Sequence, residues 1–441
     1  MENDKKIKKN NKLLSLAKNY DLVIGDTFEL FYRGVIRSMN PYKYYIYVNS
    51  PKGVPYPRFY TYTPGENDEG DYPLTITLFD DYGCEIETAS TTLHVHKPVC
   101  PNKKINILCF GDSITYNGVW PYEGYRRFTK DDGNPKGLGF KNTLNLIGTM
   151  KIEEVGYEGY GGWQWKHFAT NIAVLSTSSV WVEVDEHNLG ENDQHSIWES
   201  NGLNWVLESI ETNKLKFKRG KGNYSSMPEI GNIFTNVSGG EHKEDIKINK
   251  YSFEKGNPFY DEEIDGPNFK KYCEKNNFEG IDYCYILLTW NGQFKPYNTD
   301  FSHHEEYMKK IIDRIHLDYP NAYVRLIGIH SPSIDGGIAA NYGANGFYHD
   351  VFGDLITAYN YDEFLEQFCE REEYKSFCKF IDMKAQFDVE NNMPSTMMKV
   401  NVRNEELHRV GANGLHPMTE GYLQIGDVFY RTLVADMKKE K

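Results

Sequence analysis

From residue 105 onward the sequence keeps returning to one alternation, a short apolar run followed by a stretch of helical period. The apolar runs fall at 105–110, 180–184, 283–289 and 323–329. Each has the length of a buried strand and is too short for a helix of ordinary size. Helical spacing is read over 305–317, 362–380 and Thr419–Met437, where Tyr422, Ile425, Val428, Phe429 and Leu433 recur on one face. Strands that alternate with helices bury their apolar faces as an α/β layer fold built on a parallel sheet. Between these signals, residues 185–280 are rich in Asn, Gly and Lys and too long for a loop. They read as an insertion, β-structured around 214–217 and 245–252.

Before residue 105 the pattern is different. Residues 1–19 are rich in Lys and Asn and read as a flexible lead-in, and residues 20–97 consist of short strand-like runs separated by Gly, Pro and Asp. The alternation Leu74-Thr75-Ile76-Thr77-Leu78 puts apolar side chains on one face and threonines on the other. This segment reads as a small all-β sandwich, with 98–104, containing Pro98 and Pro101, as linker. The rest, 105–441, reads as one α/β domain carrying the insertion.

The chain has 441 residues, and its 63 acidic against 49 basic residues leave a net charge of -14. That charge repels phosphate backbones and anionic lipid heads, so neither nucleic acid nor a membrane surface is an expected partner. No apolar stretch reaches the ~18 residues a membrane helix needs. As written the chain shows no export signal, which favours a cytoplasmic protein, or a secreted one if a signal has been removed. The Asn-x-Ser triplets at Asn223 and Asn236 do not decide between them. Seven scattered cysteines without a Cys-x-x-Cys pair point to free thiols. His94 and His96 share a strand face, but no third ligand follows nearby, and neither a metal nor another cofactor is expected.

Two segments carry candidate chemistry. In Ile107-Leu108-Cys109-Phe110-Gly111-Asp112-Ser113-Ile114-Thr115 an apolar strand runs into a small polar turn, which puts Ser113 at the carboxyl end of a strand, where open α/β sheets bind ligands. Asp112 and Ser113 are also good helix caps, so the turn alone does not establish a nucleophile. Near the end of the chain, Asn413-Gly414-Leu415-His416-Pro417 places a histidine just before the last helix. A serine attacks a carbonyl only when a base takes its proton, and histidine is the usual base. Between them lie the glycine-rich turn Glu158-Gly159-Tyr160-Gly161-Gly162-Trp163 and the strand end Leu288-Thr289-Trp290-Asn291-Gly292.

Gly-Asp-Ser-Ile-Thr after a first strand, a mid-chain glycine, an Asn after a later strand and a His-Pro before the last helix resemble the four blocks of the SGNH hydrolases, the GDSL esterases and lipases. The blocks correspond in order to Ser113, Gly162, Asn291 and His416, and the likeness extends over residues 104–437. It implies a flavodoxin-like three-layer α/β/α sandwich and hydrolysis of a carboxylic ester through an acyl-serine. Ser113 is then the nucleophile and His416 the base. The N–H groups of Ser113 and Gly162 with the amide of Asn291 form the oxyanion hole, and Asp112 anchors the turn. Where the family carries Gly-x-Asn-Asp this chain has Thr289-Trp290-Asn291-Gly292.

A second departure concerns the base. Family members carry Asp-x-x-His, and here Asn413 stands at the aspartate's place. Three groups can orient the imidazole: the side-chain oxygen of Asn413, a backbone carbonyl, or a carboxylate from elsewhere in the chain. The expected substrate is an acetylated carbohydrate, because the aromatics near the motifs, the acidic surface and the appended β-sandwich resemble carbohydrate-esterase branches of the superfamily. Tyr160, Trp163 and Trp290 are the substrate-contact candidates, with core packing as the competing explanation. Two alternatives stand beside this reading, an esterase, thioesterase or acyltransferase for a small acyl metabolite, and a glycan-binding protein without turnover.

Overall fold

The structure, a computed structural model, describes residues 12–172, 179–220, 229–253, 256–334, 337–338 and 350–438. They divide into two compact units. One comprises residues up to Gln164 with Glu279–His303 and Asn321–Lys441, and the other Trp165–Phe278 with His304–Pro320. Asn223 lies outside the described residues.

In the first unit, residues 20–97 form two sheets. Four strands run in the order Asn19–Val23, Glu85–His96, Gly70–Phe79, Tyr45–Asn49, and three in the order Phe28–Phe31, Phe59–Tyr62, Val54–Pro55. The alternation in Gly70–Phe79 is expressed directly. Leu74, Ile76 and Leu78 are fully buried, and the intervening threonines pair across to the neighbouring strand, Thr75 with Ser90 at 2.9 Å and Thr77 with Thr88 at 2.8 Å. Of the lead-in 1–19, residues 1–11 lie outside the described residues, and the remainder is docked rather than free. Leu14 is fully buried and bridges to Ile36, because Leu13, Leu14, Leu16 and Ala17 supply apolar area to this core. Residues 98–104 form neither strand nor helix.

The same unit holds the parallel sheet. Its strands are β1 (Ile105–Gly111), β2 (Leu144–Ile147), β3 (Met150–Ile152), β4 (Val155–Gly159), β5 (Tyr283–Leu287), β6 (Tyr323–Ile327) and β7 (Cys378–Ile381). The order is β3-β4-β1-β5-β6-β7, with β2 also paired to β1, and every pairing is parallel except β3 with β4. All residues of β1, β4 and β5 are buried, as parallel strands require. Four helices matter for the site: α1 (Ser113–Tyr116), α2 (Val119–Thr129), α3 (Val351–Cys369) and α4 (Thr419–Met437). Helices α2 and α4 pack closely, since Gly124 leaves room for the Phe429 ring, which also meets Trp120 edge-on at 5.2 Å. One stretch here differs from the sequence reading. The helix expected over 362–380 runs from Val351 to Cys369, capped by Asp350 about three turns before the expected start, and 378–381 is strand β7.

Charged groups buried between the N-terminal sheets and the α/β part of this unit are paired. Asp26 takes Arg127 at 2.5 Å and Arg431 at 3.1 Å, and Tyr20 donates to Asp382 at 2.7 Å.

The second unit is dominated by a seven-stranded antiparallel sheet, in the order Asp245–Lys247, Ile233–Ser238, Ile197–Ser200, Leu203–Ile210, Lys214–Arg219, Val180–Glu183, Lys250–Phe253. The insertion is thus far more regular than its composition implies. Residues 180–183, expected among the parallel strands, pair antiparallel with Lys214–Arg219 and Lys250–Phe253 instead. A core of Trp198, Trp205, Leu207, Leu215, Phe217 and Phe234 covers one face. Asn236 sits in this sheet, mostly buried, with its amide donating to the carbonyls of Gly239 and His242 at 3.0 Å each. No described helix is long and apolar enough to cross a membrane.

Candidate active site

Strand β1 is where the sheet changes its direction of growth: the chain adds β2 to β4 on one side of it and then β5 to β7 on the other. Crevices open at such a switch point, beyond the carboxyl ends of the strands. Register sets what meets there. Gly111, the last residue of β1, is opposite Gly159 of β4 on one side and Leu287 of β5 on the other. The segments that follow, carrying Ser113, Gly162 and Asn291, therefore leave the sheet at one level. A side chain at 111 has no room, because a Cβ there would lie 2.1 Å from the Leu287 carbonyl oxygen and 2.3 Å from Thr115 Oγ1.

His416 closes the arrangement. Its Nε2 lies 2.9 Å from Ser113 Oγ, within the reach needed for the hydroxyl to donate to the imidazole. Both residues are half-buried, so a substrate can reach them from solvent. Burial pushes the His416 pKa below the usual 6.5, which keeps the ring neutral and able to accept a proton near pH 7.

Asp112 ties the serine turn to the Asn291 loop. It is fully buried. One carboxylate oxygen accepts the N–H of Ile114 at 3.0 Å and caps α1. The other accepts the N–H and hydroxyl of Thr289, both at 2.7 Å, and the Asn291 amide at 3.3 Å. Burial raises its pKa to about 6, against the lowering effect of these donors. Thr289, which sequence reasoning left without a role, supplies two of the four. The backbone N–H groups of Ser113 and Gly162 donate to no protein acceptor among the described residues. Gly162 has a φ of +80°, favoured by glycine, and is exposed, with no heavy atom within 4 Å of where a Cβ would stand.

Asn413 does something other than orient the ring. Its side-chain oxygen accepts the backbone N–H of Leu415 at 2.9 Å and that of His416 at 2.8 Å. Among the described residues Asn413 makes no hydrogen bond to the imidazole; its side chain instead forms an Asx-type turn at the start of the histidine loop. Gly414 reinforces that path, because a Cβ at 414 would lie 1.7 Å from the Gly337 carbonyl oxygen. Among the described residues no carboxylate is hydrogen-bonded to the His416 ring.

His330, just beyond β6, is fully buried, and its Nδ1–H donates to the Ser331 carbonyl at 2.8 Å. Burial is the main cause that lowers its pKa to about 4, and the neighbouring His416 adds to it, so this ring is neutral at pH 7. The aromatic candidates for substrate contact are turned inward. Trp290 is fully buried and Trp163 and Tyr160 nearly so, with their rings 4.4 Å apart. The Tyr160 hydroxyl donates to the buried Glu158 carboxylate. None of the three presents a face on which a sugar could stack. Among the described residues no group of three or more His, Cys, Asp or Glu side chains is placed to hold a metal ion. His94 and His96 are each paired to an aspartate, Asp71 at 2.6 Å and Asp21 at 2.9 Å.

Sequence comparison finds no matching family model and no matching curated protein. Among solved structures, the chain is similar to a peptidoglycan O-acetylesterase, with a TM-score of 0.28 and 10% identity over 76% of this chain and 92% of that one. It is also similar to a possible lipase from Chitinophaga pinensis, with a TM-score of 0.30 and 12% identity over 76% of this chain and 98% of the other.

Proposed function

We propose that this protein is a serine esterase of the SGNH type that hydrolyses carboxylic esters through an acyl-enzyme, with an acetylated carbohydrate as substrate. The observation that carries the reading is the 2.9 Å approach of His416 Nε2 to Ser113 Oγ at the switch point of a parallel sheet. The strand order, with β2 and β4 paired parallel to one side of β1 and β5 to β7 on the other, supports a flavodoxin-like three-layer sandwich. Residues 20–97 are then an N-terminal β domain, and residues 185–280, which make up most of the second unit, are an insertion in the hydrolase domain.

In the proposed reaction His416 takes the proton of Ser113 as Oγ attacks the ester carbonyl. The unengaged N–H groups of Ser113 and Gly162, with the amide of Asn291, receive the oxyanion, and loss of one such donor costs about 10² to 10³ in rate. His416 next protonates the leaving alcohol, and water, activated by the same ring, releases the acid. The carbohydrate assignment rests on the sequence alone, since the buried tryptophans do not add a stacking platform to it.

The test is hydrolysis of p-nitrophenyl acetate and of a longer acyl ester by wild type and Ser113→Ala. We expect turnover in the wild type only, with both proteins unfolding at the same temperature. Equal turnover in Ser113→Ala would end the serine mechanism. Release of acetate from acetylated polysaccharide then tests the substrate class.

A further inference from the structure

Cys369 is the last residue of α3 and Cys378 the first of β7, and the connection between them folds back tightly. Within it the N–H groups of Tyr374 and Lys375 both bond the Arg371 carbonyl, and the N–H of Cys378 bonds that of Tyr374 at 2.8 Å. Phe368 and Tyr374 stack at 4.3 Å and hold the turn closed. The result is a pair of free thiols whose sulfurs lie 3.3 Å apart. A disulfide needs about 2.05 Å, so a shift of roughly 1.2 Å closes the bond. The pair is not sealed off. Both cysteines line a cavity of about 330 Å³, with Arg325, Lys375 and Lys379 also in its wall, and each keeps 5% of its surface exposed.

We propose that Cys369 and Cys378 are a reversible dithiol–disulfide site, oxidised through this cavity by low-molecular-weight disulfides. In the first step the thiolate of one cysteine attacks a sulfur of the small disulfide. Its S–S bond breaks, one small thiolate leaves and takes up a proton, and a mixed disulfide remains on the protein. The second cysteine then gives up its proton and attacks the protein sulfur of that mixed disulfide. The Cys369–Cys378 bond forms, and the second small thiolate leaves and is protonated. Two protein thiols are oxidised and one small disulfide is reduced to two thiols. Nearby cations favour the thiolate that begins the sequence, while burial and the partner sulfur hold the Cys369 thiol above its ordinary pKa, so the exchange is slow at neutral pH. Cys84 and Cys100 are exposed, so their conversion reports that the small disulfide has reacted with accessible thiols.

The sequence makes the test direct, because Arg371 and Lys375 lie between the two cysteines and trypsin separates them. Full-length native protein is incubated with oxidised glutathione at pH 8, its remaining thiols are alkylated, and it is digested without reductant. We expect the peptide ending at Arg371 and the peptide Ser376–Lys379 to appear joined, about 2 Da lighter than the sum of their free-thiol forms. The joined species should disappear with dithiothreitol and be absent from both Cys369→Ser and Cys378→Ser. The proposal is overturned if both cysteines are recovered alkylated, or each bears its own glutathione, once Cys84 and Cys100 have been fully converted.

Discussion

Asn413 offers the sharpest test of how the base is held. Its oxygen accepts two backbone N–H groups, at 2.9 and 2.8 Å, both half-buried. Leaving such a donor without an acceptor costs about 1 kcal/mol at the lower end of the usual range. Asn413→Ala should therefore disfavour the productive loop by about 2 kcal/mol, a fall of roughly 30-fold in kcat/KM. Direct orientation of the imidazole would give a different size of effect. When the orienting group of a serine protease is altered so that the wrong tautomer is held, kcat falls about 10⁴. Asn413→Asp separates the two ideas further, because a carboxylate retains both acceptors and adds a charge that favours the imidazolium. Its rate should equal or exceed wild type, with the acid limb of the pH profile moved to higher pH. The assay is kcat/KM for p-nitrophenyl acetate from pH 5 to 9 on wild type and both variants. A 10⁴ loss in Asn413→Ala, or no loss at all, would refute the loop argument.

Burial lowers the His416 pKa from 6.5, so the ring stays a competent acceptor at pH values where an exposed imidazole is already charged. The acid limb of kcat/KM should lie below pH 6.5, and a limb above that value would contradict the assignment. Gly414→Ala puts a Cβ 1.7 Å from a backbone oxygen that cannot yield cheaply. Overpacking of this kind costs about 1–3 kcal/mol, so kcat/KM should drop at least ~5-fold, with a lowered unfolding temperature checked by circular dichroism. Asp436 is buried against Arg325 at 2.5 Å and receives the Tyr285 hydroxyl at 2.6 Å. Asp436→Asn leaves the guanidinium without its counter-charge and should cost about 3–5 kcal/mol, read as a lower urea midpoint with an unchanged slope.

The parallel strands at 105–111, 283–287 and 323–327 and the helix Thr419–Met437 could be read because the strands are apolar apart from Asn106 and Arg325, and the helix is apolar along one face over its full length. Residues 180–183 were equally apolar, but a short buried run carries no mark of whether its neighbours are parallel or antiparallel, so they were placed in the wrong sheet. Ile197–Ser200 and Ile233–Ser238 escaped notice because only alternate residues are buried. Their exposed positions mix Ile197, Ile233 and Val237 with Glu199, Thr235 and Ser238, so no clean alternation of apolar and polar residues marks them as strands. At the site, Ser113 and His416 stand out as motifs, and the structure brings them to 2.9 Å. The hydrogen bonding of Asn413 does not show in the sequence, because its distance from His416 suits a side-chain contact with the ring and an Asx turn equally well. Only the backbone path decides between them.

In the proposed reaction the amide of Asn291 serves the oxyanion, and Asp112 orients it for that task. Asn291 presents its nitrogen to Asp112, a buried carboxylate that accepts and cannot donate while ionised. The reverse orientation would put the amide oxygen against the carboxylate oxygen, so the charge on Asp112 fixes which end of Asn291 faces it. One N–H of that nitrogen is used, and the other is left for a substrate oxygen. The same carboxylate caps the turn that carries Ser113, so the proposed nucleophile and one proposed oxyanion donor are referenced to a single buried group. With its pKa raised only to about 6, Asp112 is mostly ionised at pH 7, where neutral His416 can act as base, and it enforces this orientation there.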